Sequence, residues 1–106
     1  MNKVIDYNIY KATLLIGLQR GYTNELIEEE MVLDELKKLQ DMLIKTEGIY
    51  LSANCFLSTI VLSGQQEPHL NLQFINYPKF PLTLKSFKSA VEIVAESLIT
   101  NLSKTG

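Results

Sequence analysis

The chain has 106 residues, a net charge of −2 and a hydrophobic content of 46%. This length fits one domain, and a domain of this size buries roughly 60–70% of the surface of its unfolded chain. The composition is that of a globular protein and excludes disordered and collagen-like classes. Acidic and basic residues are mixed along the chain, without the basic stripe by which nucleic-acid-binding proteins displace counterions, so we expect no nucleic-acid partner.

The sequence shows no targeting or membrane signal. Its N-terminal residues lack the apolar core of about 7–15 residues that marks a signal peptide, and no window reaches the ~20 apolar residues of a membrane-spanning helix. We therefore expect a cytoplasmic protein with no membrane partner. The single cysteine, Cys55, excludes an intramolecular disulfide and a cysteine-based zinc site within one chain, and we expect no metal and no cofactor. A free cysteine within a strand is typical of a small buried apolar residue.

The first predicted element is a strand over Tyr7–Leu18, after a loose lead-in over residues 1–6. Apolar residues alternate along it, which is typical of a strand with one buried face. The segment Gln19–Thr23 then breaks the alternation with a glycine and polar residues, which indicates a loop. A loop between a strand and a helix start is a general place for anion binding, and Arg20 makes this loop the candidate site for a small anionic ligand.

The next segment, Asn24–Glu47, predicts a long amphipathic helix. Its apolar residues recur at intervals of four, three and four positions and form one stripe: Val32, Leu36, Leu39 and Leu43. Thr23 or Asn24 is suited to cap the start, and Gly48 is suited to a left-handed C-terminal cap. We interpret the acidic run near the start as a solvated face that complements the helix dipole.

The stretch Gly48–Tyr77 predicts a long β-hairpin. Its arms are Ile49–Leu62 and His69–Tyr77, joined by a turn over Gly64–Pro68. We expect Pro68 to lie in that turn, where its missing N–H costs no ladder hydrogen bond. Both arms carry apolar residues on both faces, so helices that cover one face leave apolar side chains on the other.

A connector with two prolines, Tyr77–Pro81, precedes the last predicted helix. The prolines stop the strand and keep the chain extended. The helix is predicted over Thr83–Lys104, because apolar residues recur at a spacing of three and four along it. The polar tail over residues 103–106 is expected to be loose.

The order strand, helix, strand, strand, helix predicts a single α+β domain over residues 1–106. We expect a ferredoxin-like β-α-β-β-α sandwich, an antiparallel sheet with two helices on one face, whose final strand is missing or supplied from elsewhere. A right-handed crossover covers one face with the first helix, and the second hairpin arm slots between the first two strands. Leu70, Leu72 and Phe74 then face the helices, and the first strand keeps a free edge for another subunit.

Polar and aromatic residues on the other face of the sheet indicate a small pocket or an interface between subunits, and we prefer the interface. His69, the only histidine, is suited to proton transfer near neutral pH. No nearby acidic residue except Glu67 is placed to orient it, so we predict no catalytic residues. The candidate ligand or interface residues are Arg20, Tyr50, Asn54, Phe56, His69, Asn71, Gln73 and Ile75.

These patterns favour a small homo-oligomeric protein without enzymatic activity, which binds a protein partner or a small ligand through the open sheet face. Two alternatives stay open at this point. One is a cofactor-independent enzyme of the isomerase or oxygenase kind, with a pocket near His69. The other is an anion-binding regulator that uses Arg20 and the N-terminus of the first helix.

Overall fold

The computed structural model of the chain describes residues 11–20, 25–76, 79 and 81–103. Five strands and two helices follow one another along these ranges. They are β1 (Lys11–Gly17), β2 (Gln19–Arg20), β3 (Glu25–Leu26), α1 (Glu29–Glu47), β4 (Ser52–Leu62), β5 (Gln65–Ile75) and α2 (Leu84–Ser103). The two-residue strands β2 and β3 form a small ladder of their own.

The main sheet has three antiparallel strands in the order β1-β5-β4. Leu72 of β5 lies opposite Leu14 of β1 on one side and opposite Cys55 of β4 on the other. The second hairpin arm therefore lies between the first arm and the first strand, which confirms the predicted element order and the predicted place of this strand.

The ferredoxin-like assignment is wrong. A ferredoxin-like sheet has four strands, whereas the main sheet has three strands within the described residues. The prediction relied on the β-α-β-β-α order, which this chain shares with that fold. That order does not by itself supply the fourth strand, and the outer side of β1, where the fourth strand would pair, carries no described strand.

The two helices lie on one face of the sheet and enclose the hydrophobic core with it. Alternate residues of β5, namely Leu70, Leu72 and Phe74, are fully buried beneath the helices, as predicted. The helices contribute their apolar stripes: Val32, Leu36, Leu39 and Leu43 from α1, as predicted, and Phe87, Val94, Leu98 and Leu102 from α2. Of the other two residues predicted for the α2 stripe, Leu84 is exposed and Val91 is partly buried, and Ala90 is buried in addition. Burial of so many aliphatic side chains, at about 1.5–3 kcal/mol each, is the main stabilising term of the fold.

Helix α1 begins at Glu29, five residues later than predicted. Glu25 and Leu26 are paired with Arg20 and Gln19 in the β2–β3 ladder, so their backbone is extended rather than helical. Thr23 and Asn24, the predicted caps, lie outside the described residues. The helix ends as predicted, because Gly48 has a φ of 66° and its N–H donates to the Ile44 carbonyl.

The β4–β5 hairpin turns more tightly than the sequence indicated. Ser63 and Gly64 are its two central residues, with φ of 45° and 71°. Positive φ at both positions is the signature of a type I′ turn, whose twist matches that of the flanking strands. The predicted turn over Gly64–Pro68 is therefore wrong: β5 begins at Gln65, and Pro68 lies within it, opposite Thr59.

Pro68 is accommodated in the strand by a rearranged pair of hydrogen bonds. Its carbonyl accepts the Leu18 N–H at 3.0 Å, while the Leu18 carbonyl accepts the Ile27 N–H at 2.7 Å. Proline has no N–H to donate to the Leu18 carbonyl. The Ile27 N–H, in the segment that leads into α1, donates to that carbonyl instead, so it does not lack a partner. The missing N–H of Pro68 thus allows the end of β1 to bond the segment that precedes α1.

The remaining boundaries follow the sequence closely. Residues 7–10 of the predicted first strand and Lys104 of the predicted last helix lie outside the described residues. The Thr83 hydroxyl accepts the Ser86 N–H at 3.1 Å, which caps the start of α2. Within the connector, Tyr77, Pro78 and Phe80 are also outside the described residues.

Candidate functional site

The side chains of the sheet that point away from the helices form one surface, which we call the open face. Directly paired residues share a face of an antiparallel sheet, so the register defines its rows. The rows, each from β1 through β5 to β4, are Lys11–Ile75–Ser52, Thr13–Gln73–Asn54, Leu15–Asn71–Phe56 and Gly17–His69–Ser58. Beyond the end of β1, Glu67 pairs with Ile60 and Gln65 with Leu62.

Six of the eight candidate residues lie together on the open face. They are Asn54, Phe56, His69, Asn71, Gln73 and Ile75. The sequence places them there because strand residues two apart share a face, and the register then brings Asn54 beside Gln73 and Phe56 beside Asn71. Alternation along β4 and β5 was sufficient to group these six.

Asn71 is the polar centre of the open face. It lies between Leu15 and Phe56 and is only 7% exposed. Its Nδ2 donates to the Phe56 carbonyl at 3.3 Å and to the Ser58 hydroxyl. Since a buried amide without partners would be costly, these bonds let a polar side chain lie between two large apolar ones. Asn71 therefore ties β5 to β4 rather than offering its amide to a ligand.

The apolar side chains around Asn71 are exposed. Leu15 retains 50% of its surface, and Phe56 and Ile60 are also classed as exposed. These residues come from both edge strands, so they flank the centre of the face on either side. The open face thus carries exposed apolar side chains among polar rows, and its buried centre, Asn71, is already hydrogen-bonded within the chain.

His69 lies opposite Gly17 and Ser58, at the end of the three-stranded part of the sheet. Its Nδ1 lies 3.1 Å from the Glu67 carbonyl. A carbonyl only accepts, so this contact makes Nδ1 the donor and leaves Nε2 as the acceptor of the neutral ring. The ring is thus oriented by a backbone carbonyl and not by a carboxylate, and the prediction of a catalytic pocket at His69 gains no support from this geometry.

Two candidate residues lie away from the open face. Tyr50 precedes β4 and lines a small cavity of about 220 Å³ with residues of α1 that include Gln40 and Ile44. Arg20 belongs to the β2–β3 ladder, where its backbone pairs with that of Glu25. The structure therefore does not bring Tyr50 or Arg20 to the other six.

The N-terminus of α1 is a poor environment for an anion. The helix starts at Glu29 rather than beside Arg20, and its N-cap is Glu28. Glu29 and Glu30 fill the first turn, so the positive end of the helix dipole is already balanced by carboxylates. The anion-binding site remains a prediction that this geometry does not favour.

Cys55 lies on the helix side of β4 and packs partly against the core. Burial, and to a lesser extent the negative charge of Glu29, raises the pKa of its thiol above the ordinary value. A raised pKa reduces the thiolate fraction, which is the reactive form. This placement is consistent with the predicted structural role of the residue.

A cleft of about 630 Å³ lies between β1 and α2, and the sequence did not indicate it. Its apolar lining is formed by Ala12, Leu84, Phe87 and Val91, and its charged lining by Lys11, Lys88 and Glu92. From the sequence, we expected the apolar residues of α2 to lie in the core rather than to line a cleft. Lys11, which lines one end of the cleft, is the first residue that the structure describes, and we assign no ligand to the cleft.

The distal end of the β4–β5 hairpin is a second feature that the sequence did not single out. Leu57, Val61 and Leu62 of β4 are 57%, 63% and 73% exposed. The signal for it was present as the apolar run at the end of the first arm. The exposure of this end depends on how far β1 and the helices extend along the hairpin. The sequence of the hairpin gives no information on that extent.

Known proteins provide no assignment for this surface. Comparison of the chain with protein families, curated proteins and solved structures gives no match. Among the described residues, histidine, cysteine and acidic side chains form no group able to hold a metal ion. No helix in the same ranges has the length and apolar character needed to cross a membrane. The function is therefore argued from the geometry of the open face alone.

Proposed function

We propose that this protein is a non-enzymatic module that associates with copies of itself through its sheet. The observation that carries the proposal is the row Leu15–Asn71–Phe56, in which exposed apolar side chains flank a satisfied asparagine on a face with no described covering layer. Monomeric proteins rarely expose large contiguous apolar patches, and such patches commonly mark interaction sites.

The polar groups of the open face support association rather than chemistry. The Asn71 amide bonds within the sheet, and the His69 ring bonds the backbone of its own strand. Interfaces combine an apolar core with polar groups that are hydrogen-bonded, and this face already has both properties. Catalysis would instead require a polar group aimed at a reacting atom, with a second group to orient it.

Light scattering coupled to size-exclusion chromatography tests the proposal. We expect the wild-type protein to elute above its monomer mass at micromolar concentration. Phe56→Lys places a charge on the open face in β4 and should reduce the mass, whereas the matched change Ile93→Lys, at an exposed residue of α2, should leave it unchanged. A wild-type protein that remains monomeric from low to high micromolar concentration would overturn the proposal.

A further inference from the structure

We propose that the self-association proposed above occurs through β4, which pairs antiparallel with β4 of a second copy about a two-fold axis at Thr59. The two three-stranded sheets would then form one continuous six-stranded sheet. This inference specifies the partner and the contact of the proposed function, and it requires the outer edge of β4 rather than the open face as the primary contact.

The outer edge of β4 presents a row of backbone groups that no described strand pairs. The bond from the Leu18 N–H to the Pro68 carbonyl shows that even-numbered residues of β5 face β1. Odd-numbered residues of β5 therefore face β4 and are bonded to the even-numbered residues of that strand. The outward N–H and C=O groups of β4 belong to Ala53, Cys55, Leu57, Thr59 and Val61.

This edge lacks the features that keep natural sheet edges apart. Soluble proteins protect their edges with charged residues, proline, bulges or very short strands. β4 has eleven residues, Ser52–Leu62, and none of them is charged or proline. The opposite edge, β1, has seven residues and starts with Lys11. Of the two sheet edges within the described residues, β4 is the longer and the less protected.

Apolar side chains are exposed on both faces of β4 near its end. Phe56, Ile60 and Leu62 lie on the open face, and Leu57 and Val61 lie on the helix side, and all five are exposed. A partner that docked on the open face would leave the helix-side residues in water. A strand added in the plane of the sheet brings neighbours to both faces, which is the arrangement of β-strand addition.

The end of the hairpin also lacks internal support. β1 stops at Gly17 and Leu18 still bonds Pro68, so among the described residues the ladder from Ile60 to the turn has only two strands. The helix side of β4 is exposed at Leu57 and Val61, so the helices do not cover this part of the hairpin. Two-stranded ribbons are marginally stable in water, and a third and fourth strand stabilise them.

The side chains of β4 are self-complementary about Thr59. A two-fold axis there pairs Phe56 with Leu62 of the second copy on the open face. It also pairs Ser58, whose hydroxyl already accepts from Asn71, with Ile60. On the helix side it pairs Leu57 with Val61, and Thr59 with its own counterpart. The outward backbone groups meet as hydrogen-bonded pairs, because all paired residues on that edge are odd-numbered.

A two-fold axis nearer the middle of β4 fits less well. Centred on Leu57, it would oppose Asn54 to Ile60 and Ser52 to Leu62, which places polar residues against apolar ones. With the axis at Thr59, the two copies meet near the ends of their hairpins. Their α1 helices then lie on opposite sides of the axis. No charged residue lies within Phe56–Leu62, so two identical strands meet without repulsion.

Disulfide trapping tests the register. In a Cys55→Ser background, Thr59→Cys places two thiols opposite each other at about 5.5 Å between Cα atoms, within disulfide range. We expect rapid formation of a covalent dimer under mild oxidation. The matched variant Ala53→Cys lies on the same edge and the same side of the sheet, but beyond the end of β4 of the second copy, which turns back at Ser63, and should cross-link at least tenfold more slowly. Equal rates for the two variants would overturn the register at Thr59.

A pair of threonine-to-lysine variants separates edge pairing from contact through the open face. Thr59→Lys brings two like charges together at the two-fold axis and should convert the oligomer to monomer. Thr13→Lys is exposed on the open face of β1 and should leave the mass unchanged. If Thr13→Lys dissociates the oligomer while Thr59→Lys does not, the β4 inference fails and the proposed self-association stands. A monomeric wild-type protein would overturn both, and circular dichroism checks that each variant is folded.

Discussion

The side chain of Asn76 forms two hydrogen bonds with the backbone of Leu82, and this pair closes the connection between β5 and α2. Nδ2 donates to the Leu82 carbonyl at 2.9 Å, and Oδ1 accepts the Leu82 N–H at 2.8 Å. Asn76 is 2% exposed, so both bonds are shielded from water. The side chain replaces the two backbone bonds that a neighbouring strand would have made.

Replacement of Asn76 with alanine should therefore destabilise the fold. The Leu82 N–H and C=O would lose their partners in a partly buried environment, so we expect the free energy of unfolding to fall by about 1–3 kcal/mol. Urea denaturation followed by circular dichroism measures the change. Asn54→Ala is the matched control, because Asn54 is exposed in β4 and its loss should change stability by roughly 0.5 kcal/mol or less. Similar losses for the two variants would contradict the role assigned to Asn76.

The hairpin turn offers a stabilising substitution. Ser63 has a φ of 45°, in the left-handed region that asparagine tolerates better than serine, and Gly64 follows it. Ser63→Asn should raise the free energy of unfolding by about 0.5–1 kcal/mol, whereas Ser63→Val should lower it by at least as much, since branched residues resist positive φ. Thermal melts would distinguish them, and a reversed order would contradict the type I′ turn.

Asn71 should not tolerate a carboxylate. Asn71→Asp removes the donor that bonds the Phe56 carbonyl and places a charge between Leu15 and Phe56, so we expect stability at neutral pH to fall by about 2–4 kcal/mol. The same substitution at the exposed Asn54 keeps the fold intact and provides the comparison. Chemical denaturation at neutral pH measures both. If the two aspartate variants are equally stable, Asn71 is not the tie between the strands that its contacts indicate.

The raised pKa of Cys55 predicts a pH dependence of both reactivity and stability. Alkylation should be slower than for a free thiol at neutral pH and should keep increasing at pH values where a free thiol has levelled off. The folded state holds the thiol proton more tightly than the unfolded state. The resulting stabilisation is complete below the unfolded pKa of about 8.5 and is lost as pH rises through the folded pKa.

Glu29→Gln separates the two causes of that shift. Removal of the carboxylate charge should lower the pKa of Cys55 and raise its alkylation rate at neutral pH, without restoring the rate of a free thiol, because burial is the larger cause. Glu47→Gln, at the opposite end of α1, is the control. Equal alkylation rates in all three proteins would show that the Glu29 charge does not reach the thiol.

The sequence predicted the parts of the fold that depend on local pattern. The apolar stripe of α1, most of the stripe of α2, the C-terminal cap at Gly48 and the burial of Leu70, Leu72 and Phe74 follow from periodicity and glycine chemistry, and the structure confirms them. The grouping of Phe56, Asn71 and Gln73 on one face follows from alternation along the hairpin.

The parts that were wrong depend on partners distant in the chain. Pro68 was assigned to the turn because its missing N–H normally excludes it from a central strand. The Ile27 N–H removes that penalty by satisfying the Leu18 carbonyl, and no local pattern reveals this bond. The start of α1 was misplaced for a similar reason, since Leu26 pairs with Gln19 in a ladder too short to show alternation. The ferredoxin-like fold was inferred from element order alone.

The central place of β5 has a consequence for the order in which the sheet assembles. β4 and β5 are joined through Ser63 and Gly64, so their ladder closes almost no loop, whereas Gly17 and His69 pair although they lie about fifty residues apart. Because loop closure costs entropy before the contact repays it, we expect the hairpin to form early and β1 to dock late. Before β1 docks, the side of β5 that later pairs with β1 is unpaired. In a chain that folds at high concentration, that side of β5 can therefore pair with a strand of a neighbouring molecule instead of β1. Pulse-labelled hydrogen exchange would reveal this order as protection of the Phe56 and Asn71 amides, which bond across the hairpin, before that of the Leu14 amide.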